Sequence, residues 1–88
     1  MKISVYDTYV KKNDGQLMHF DVFLPKQDLE LALTYARKWL NEIGLEDVTI
    51  TAEECRFCHQ EIANPMVASA IQEQGYYIYE MEGCPQAS

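Results

Sequence analysis

Hydrophobic and polar positions alternate in two neighbouring runs near the start of the chain, residues 2–10 and 16–24, which are rich in valine, tyrosine and phenylalanine. This period of two predicts a pair of β-strands. The Asp14-Gly15 dipeptide lies between them and predicts a hairpin, because a tight turn needs residues that tolerate positive φ. With these two residues as the loop, Tyr9 is expected opposite Phe20.

A helical spacing of apolar residues follows the hairpin. It begins after Asp28, whose side chain suits an N-cap, continues for about fifteen residues and ends at Gly44. The apolar positions repeat every three or four residues and predict one buried stripe. They are Leu29, Ala32, Leu33, Ala36, Trp39, Leu40 and Ile43.

Three further elements complete the predicted order ββαβαβ. Alternation across residues 47–54 predicts a third strand, and Asn64-Pro65 predicts the capped start of a short helix that ends at Gly75. Residues 75–82 predict the fourth strand.

The order predicts an α+β fold, a two-layer α/β sandwich. Two right-handed crossovers would place both helices on one face of a four-stranded mixed sheet, with the third and fourth strands parallel. Residues 1–84 are predicted to form one compact domain and residues 85–88 a frayed tail. The uncovered face would carry aromatic residues, among them Tyr6 and Phe23, and such a patch predicts a homodimer.

Charge narrows the classes of partner. The 88 residues contain fourteen acidic and seven basic side chains, a net charge of −7. The basic residues form no patch, so neither nucleic acid nor an anionic membrane is an expected partner. Without a membrane-spanning run or a signal sequence, the expected location is the cytoplasm. No small-molecule ligand can be inferred from the sequence.

Cysteine and histidine supply the main chemical motif. Cys55 and Cys58 have the spacing of a zinc knuckle, His59 follows directly, and Cys84 comes after the last strand. Parallel third and fourth strands would bring all four to one sheet edge. Because a structural zinc site takes four nitrogen or sulfur ligands, these residues are predicted to bind zinc in a non-enzymatic domain.

Alternatives to zinc remain open. The cysteines could be plain buried thiols, or Cys58 could act with Cys55 or Cys84 in thiol redox chemistry. Cys-x-x-Cys-His is also a haem attachment motif, but haem is not expected in a chain without an export signal. Elsewhere, Asp7 is an isolated charge on the hairpin, and His19 with Asp21 could form an acid–base pair; structural roles are favoured for all three.

Four segments resemble a family of small bacterial proteins catalogued as domain of unknown function 2024. They are Val5-Tyr6-Asp7-Thr8-Tyr9-Val10, Met18-His19-Phe20-Asp21-Val22-Phe23, Glu53-Glu54-Cys55-Arg56-Phe57-Cys58-His59 and residues 75–84. The resemblance covers nearly the whole chain and implies a free-standing bacterial domain. It implies no activity and no site residues.

Overall fold

The computed structural model describes residues 1–45 and 47–84. These contain four strands, two α-helices and one 3₁₀ turn. In chain order the elements are β1 (Lys2–Lys11), β2 (Leu17–Leu24), α1 (Leu29–Glu42), the 3₁₀ turn (Ala52–Glu54), β3 (Cys55–Ile62), α2 (Pro65–Gln74) and β4 (Tyr77–Glu80). The predicted α+β class and the order ββαβαβ are confirmed. The predicted tail, 85–88, lies outside the described residues.

All strand pairs in the sheet are antiparallel. The strand order is β3-β1-β2-β4, so the hairpin occupies the centre and the two later strands form the edges. The prediction of a mixed sheet with β3 parallel to β4 was therefore wrong. β3 runs parallel to β2, one strand away, whereas β4 pairs antiparallel with β2 and so runs opposite to β3.

The two helices lie on opposite faces of the sheet, not on one face as predicted. On the α1 face, apolar residues of α1 pack against a core that contains Tyr6 and Phe20. On the α2 face, Val67 and Ile71 of α2 pack against a smaller cluster that contains Phe23. Both central strands carry apolar side chains on both faces, so each face needs a cover. Tyr6 and Phe23 thus belong to different faces, and both are buried.

The hairpin register differs by one residue from the prediction. Tyr9 lies opposite His19 instead of Phe20, because the loop has three residues. The Gly15 amide donates to the Lys12 carbonyl, and the Lys12 amide donates to the Gln16 carbonyl. Gly15 has φ +90°, which is the arrangement of a turn followed by a glycine bulge. One extra loop residue shifts the pairing of the two strands by one position, so each β1 residue lies opposite a different β2 residue from the one predicted.

The third strand lies at 55–62, not at the predicted 47–54. Val48 and Ile50 are buried against the α1-face core, although they belong to no strand. The alternation of apolar and polar residues in this segment therefore arises from packing against the core and not from pairing in the sheet. Seven of the eight β3 residues are exposed, as an edge strand allows, and β3 therefore carries no hydrophobic alternation. The motif from Cys55 to His59 consequently lies inside a strand.

Both helices were predicted with the correct caps. The Asp28 side chain accepts from the Leu31 amide at the start of α1, and the Asn64 side chain accepts from the Val67 amide at the start of α2. Neither helix in the described ranges is long and apolar enough to span a bilayer. With only ten residues, α2 extends about 15 Å. It covers only the part of its face near Ile3 and Phe23.

Candidate functional site

Acidic and histidine side chains gather on the half of the α2 face that α2 leaves uncovered. Asp7 of β1 lies directly opposite Asp21 of β2, and Tyr9 lies opposite His19 two residues further along. Side chains two residues apart on a strand share a face, so the hairpin alone brings Asp7, His19 and Asp21 together. We call these three residues the Asp–His cluster.

The ligand atoms of the Asp–His cluster all lie within 4.8 Å of one another. His19 Nε2 contacts Asp7 Oδ1 and lies 4.0 Å from Asp21 Oδ1. The imidazole nitrogen is thus near both carboxylates. Within residues 1–45 and 47–84, this is the one group of three or more histidine, cysteine or acidic ligands with metal-binding spacing.

The ring of His19 is held in place from several sides. Tyr9 stacks on it, with ring centroids 4.1 Å apart and planes 10° from parallel. The His19 amide donates to the Glu82 carbonyl at 2.8 Å, and its carbonyl accepts from the Met81 amide at 3.0 Å. The segment that follows β4 therefore fixes the backbone of His19, while Tyr9 and Asp7 orient its ring.

Asp21 is the unusual member of the cluster. It is 9% exposed, and its Oδ1 is buried with no hydrogen-bond partner. Burial, with a smaller contribution from the neighbouring Asp7 carboxyl, raises the pKa of this carboxyl to about 7, although His19 and His59 act to lower it. Two directly opposed like charges destabilise a strand pair, and an unsatisfied buried oxygen adds a further cost. Such a cost is typical of functional sites.

Two surface clefts border the Asp–His cluster. Asp7 lines one of about 420 Å³ together with Tyr9, Glu53 and Arg56. Asp21 lines the other, of about 300 Å³, between α2 and β4. Arg56 lies opposite Asp7 in the register, but its Nε donates to the Glu53 carbonyl. A ligand can therefore approach the carboxylates from either side.

The structure does not bring the four predicted zinc ligands together. Cys55 is buried in the α1-face core, where the Thr8 hydroxyl lies 3.5 Å from its sulfur. Cys84 packs against the same core but after β4, at the opposite edge of the sheet, with its sulfur 3.3 Å from the His19 carbonyl oxygen. The edge strands β3 and β4 are separated by two strands, or about 14 Å at the usual strand spacing. No three of the predicted ligands form a group with metal-binding spacing in the described chain.

Cys58 and His59 are the two predicted ligands in mutual contact. Phe57 pairs with Tyr6 and His59 with Val5, so Cys58 has no partner and lies at a β-bulge. Its exposed sulfur is 3.1 Å from His59 Nδ1, and His59 Nε2 is 3.0 Å from Glu61 Oε1. Bulges redirect side chains, which explains how two consecutive residues of one strand meet here.

The three thiols differ in environment, although all three are free. Burial raises the pKa of both Cys55 and Cys84, and the Glu80 carboxylate raises that of Cys84 further. Both therefore favour the neutral thiol, which is a poor nucleophile. The described structure contains no Cys55–Cys58 disulfide.

Sequence reasoning named His19 with Asp21 as a candidate acid–base pair, treated Asp7 separately and favoured structural roles for all three. The available signal was the hairpin itself, because a one-residue change of register places Asp7 opposite Asp21. With the correct register, two acids directly opposite each other on adjacent strands would have identified the candidate site.

Comparison with known proteins identifies a family and a solved structure that are similar to this chain. A family model described as "Domain of unknown function (DUF2024)" matches residues 1–81. The NMR structure of protein NE1680 from Nitrosomonas europaea, a structural genomics target, is similar at 55% identity and a TM-score of 0.88. The match covers 97% of this chain and 100% of that one. No curated protein matches the chain. The chain therefore belongs to the DUF2024 family.

Proposed function

We propose that this protein is a metal-binding domain that holds one divalent transition-metal ion at Asp7, His19 and Asp21. The observation that carries the proposal is the buried Asp21 oxygen without a partner, in a cluster whose ligand atoms lie within 4.8 Å of one another. A bound cation would coordinate that oxygen and offset the repulsion between the opposed carboxylates of Asp7 and Asp21.

The donor set indicates the class of ion. Imidazole suits zinc, iron, nickel and copper, whereas carboxylates also accept manganese and magnesium. One nitrogen and two oxygens together favour a borderline ion such as Zn²⁺, and the two negative charges match its charge. Three protein ligands leave at least one coordination position for water or a ligand. The clefts beside Asp7 and Asp21 provide access to that position.

Calorimetric titration of tag-free, chelator-treated protein with Zn²⁺ tests the proposal. We expect about one equivalent to bind, and Asp7→Asn to weaken binding on the order of 100-fold, since even outer-shell changes cost 10- to 100-fold. Glu30→Gln, an exposed acid on α1, is the matched control and should bind like the parent protein. An unchanged affinity in Asp7→Asn would refute the site.

The same titration distinguishes the zinc position predicted from the sequence. If zinc were bound by Cys55, Cys58, His59 and Cys84, Cys58→Ser would lose affinity and Asp7→Asn would not. Our proposal requires the opposite result. Self-association through the sheet, the other sequence-based expectation, stays a prediction.

Thiol chemistry at Cys58 is the second candidate function. It is favoured by the contact between the exposed Cys58 sulfur and His59 Nδ1, with Glu61 on the far side of the imidazole. This order of thiol, imidazole and carboxylate is the arrangement that activates nucleophilic cysteines. It requires Cys58 alone, whereas the CxxC prediction required a pair.

A thiol reagent such as 5,5′-dithiobis(2-nitrobenzoate) should separate the three cysteines. We expect Cys58 to react rapidly in native protein, the half-buried Cys84 more slowly and the buried Cys55 only after unfolding, because burial raises the pKa of the last two and restricts access to them. Cys58→Ser should remove the fast phase, and His59→Gln should slow it. Equal rates for all three thiols would contradict this assignment.

A further inference from the structure

A cleft of about 300 Å³ lies between the start of α2 and strand β4, on the α2 face. One end of it is formed by Asp21, and Asn64, Met66 and Val67 line the side formed by α2. This volume is at the lower end of the range for small-molecule sites, so it suits a compact ligand. We call it the aromatic cleft.

Aromatic side chains form the floor and the outer wall of the aromatic cleft. Phe23 stacks on Tyr79 with centroids 6.1 Å apart and planes 15° from parallel, and its centroid lies 5.9 Å from that of Tyr77. The register explains the grouping, because Phe23 pairs with Tyr77 and Asp21 with Tyr79 across β2 and β4. Tyr79 is 51% exposed and Met66 is 60% exposed, so apolar surface remains open on both sides.

The charges that line the aromatic cleft are all negative. Asp21 and Glu61 are both lining residues, and no lysine or arginine is among them. Asp21 supplies a buried oxygen without a partner. Aromatic faces carry negative electrostatic potential, so rings and carboxylates here favour the same sign of ligand.

We propose that the aromatic cleft binds a small organic ammonium ion that carries an aromatic or apolar group. The ammonium group interacts with the carboxylates of Asp21 and Glu61, and the apolar group lies against Tyr79 and Met66. An anionic ligand would be repelled by both acids, and a neutral one would leave the buried Asp21 oxygen without a partner. Asp21 is shared with the proposed metal site, whereas Asp7 and His19 are not among the residues that line the cleft, so ammonium binding is tested in metal-free protein.

Three probes of similar shape test the charge preference in chelator-treated protein. These are 2-phenylethylammonium, 2-phenylethanol and 3-phenylpropanoate, and binding is followed by ¹H–¹⁵N chemical-shift titration. We expect the ammonium ion to bind about tenfold more tightly than the alcohol, and the carboxylate to bind most weakly. The shifts should map to β4 and the start of α2. Equal affinities for the ammonium ion and the alcohol would overturn the proposal.

Two variants assign the roles of the wall and the charge. Glu61→Gln should weaken ammonium binding and leave alcohol binding unchanged, whereas Tyr79→Ala should weaken both. Glu30→Gln on α1 is the matched charge control. Asp7→Asn should lose zinc but retain ammonium binding, so failure of the metal proposal and failure of this one are separable. Shifts confined to α1, which contributes no lining residue, would show that the ligand binds elsewhere.

Discussion

In metal-free protein, Asp21→Asn is expected to raise the free energy of unfolding at about pH 8 by roughly 1 to 3 kcal/mol, the usual cost of an unsatisfied buried polar group. The substitution preserves the shape of the side chain and removes its charge. The new amide can donate to the Asp7 carboxylate, which then loses its opposed like charge. A substitution at a site residue should thus stabilise the fold, as expected where function and stability conflict.

The pH dependence gives this prediction a definite sign. The pKa of Asp21 is raised from 3.8 to about 7, so the folded state holds the proton more tightly than the unfolded chain. The resulting stability is fully present below about pH 4 and is lost as the pH rises to about 7. In Asp21→Asn this loss should be absent.

Urea denaturation at about pH 5 and about pH 8 in the presence of a chelator measures both effects. Glu73→Gln, an exposed acid on α2, serves as the control and should not change the difference between the two pH values. Added Zn²⁺ should make the parent protein more stable than Asp21→Asn at about pH 8, because a ligand that binds only the folded protein stabilises it and the variant lacks one of the proposed zinc ligands. If the parent protein were equally stable at both pH values, Asp21 would not be the strained group we describe.

Local signals predicted the helices well. Asp28 and Asn64 act as N-caps through contacts three residues away, and the stripe containing Trp39 faces one core. Such features depend on neighbouring residues only, and the sequence contains all of them. The α+β class and the element order follow from the same local patterns.

The sheet topology depends on information that is not local. Edge strand β3 pairs through its backbone, and its exposed side chains carry no pattern, whereas Val48 and Ile50 alternate without belonging to a strand. Neither sequence pattern indicates which segment pairs with the hairpin, or at which of its two edges. The apolar side chains on both faces of β1 and β2 were the best indication that the helices would divide between two faces.

The candidate site moved because register and topology changed together. One loop residue decides whether Asp7 lies opposite Asp21, and the antiparallel β4 separates Cys84 from Cys55. Residue types alone favoured the cysteines, whose chemistry is distinctive. Asp7 and Asp21 are ordinary acids that become unusual only when they are placed opposite each other.

Gly83→Ala is expected to destabilise the protein by about 3 kcal/mol, the sum of a left-handed backbone and a steric clash. Gly83 has φ +76°, and a Cβ there would lie 2.2 Å from the Leu17 carbonyl oxygen. Backbone cannot move aside as a flexible side chain can. The segment must therefore shift away from β2, and it is the segment that holds the His19 backbone through Met81 and Glu82.

Gly15→Ala is the matched control for this prediction. Gly15 has φ +90°, but a Cβ there would meet nothing within 4 Å. It should cost about 1 kcal/mol, the strain of the backbone alone. Because Gly15 does not touch His19, zinc affinity should be unchanged in Gly15→Ala and reduced in Gly83→Ala. Thermal unfolding and zinc titration of both variants measure the difference. Equal losses of stability with equal zinc affinities would mean that the segment after β4 does not position His19.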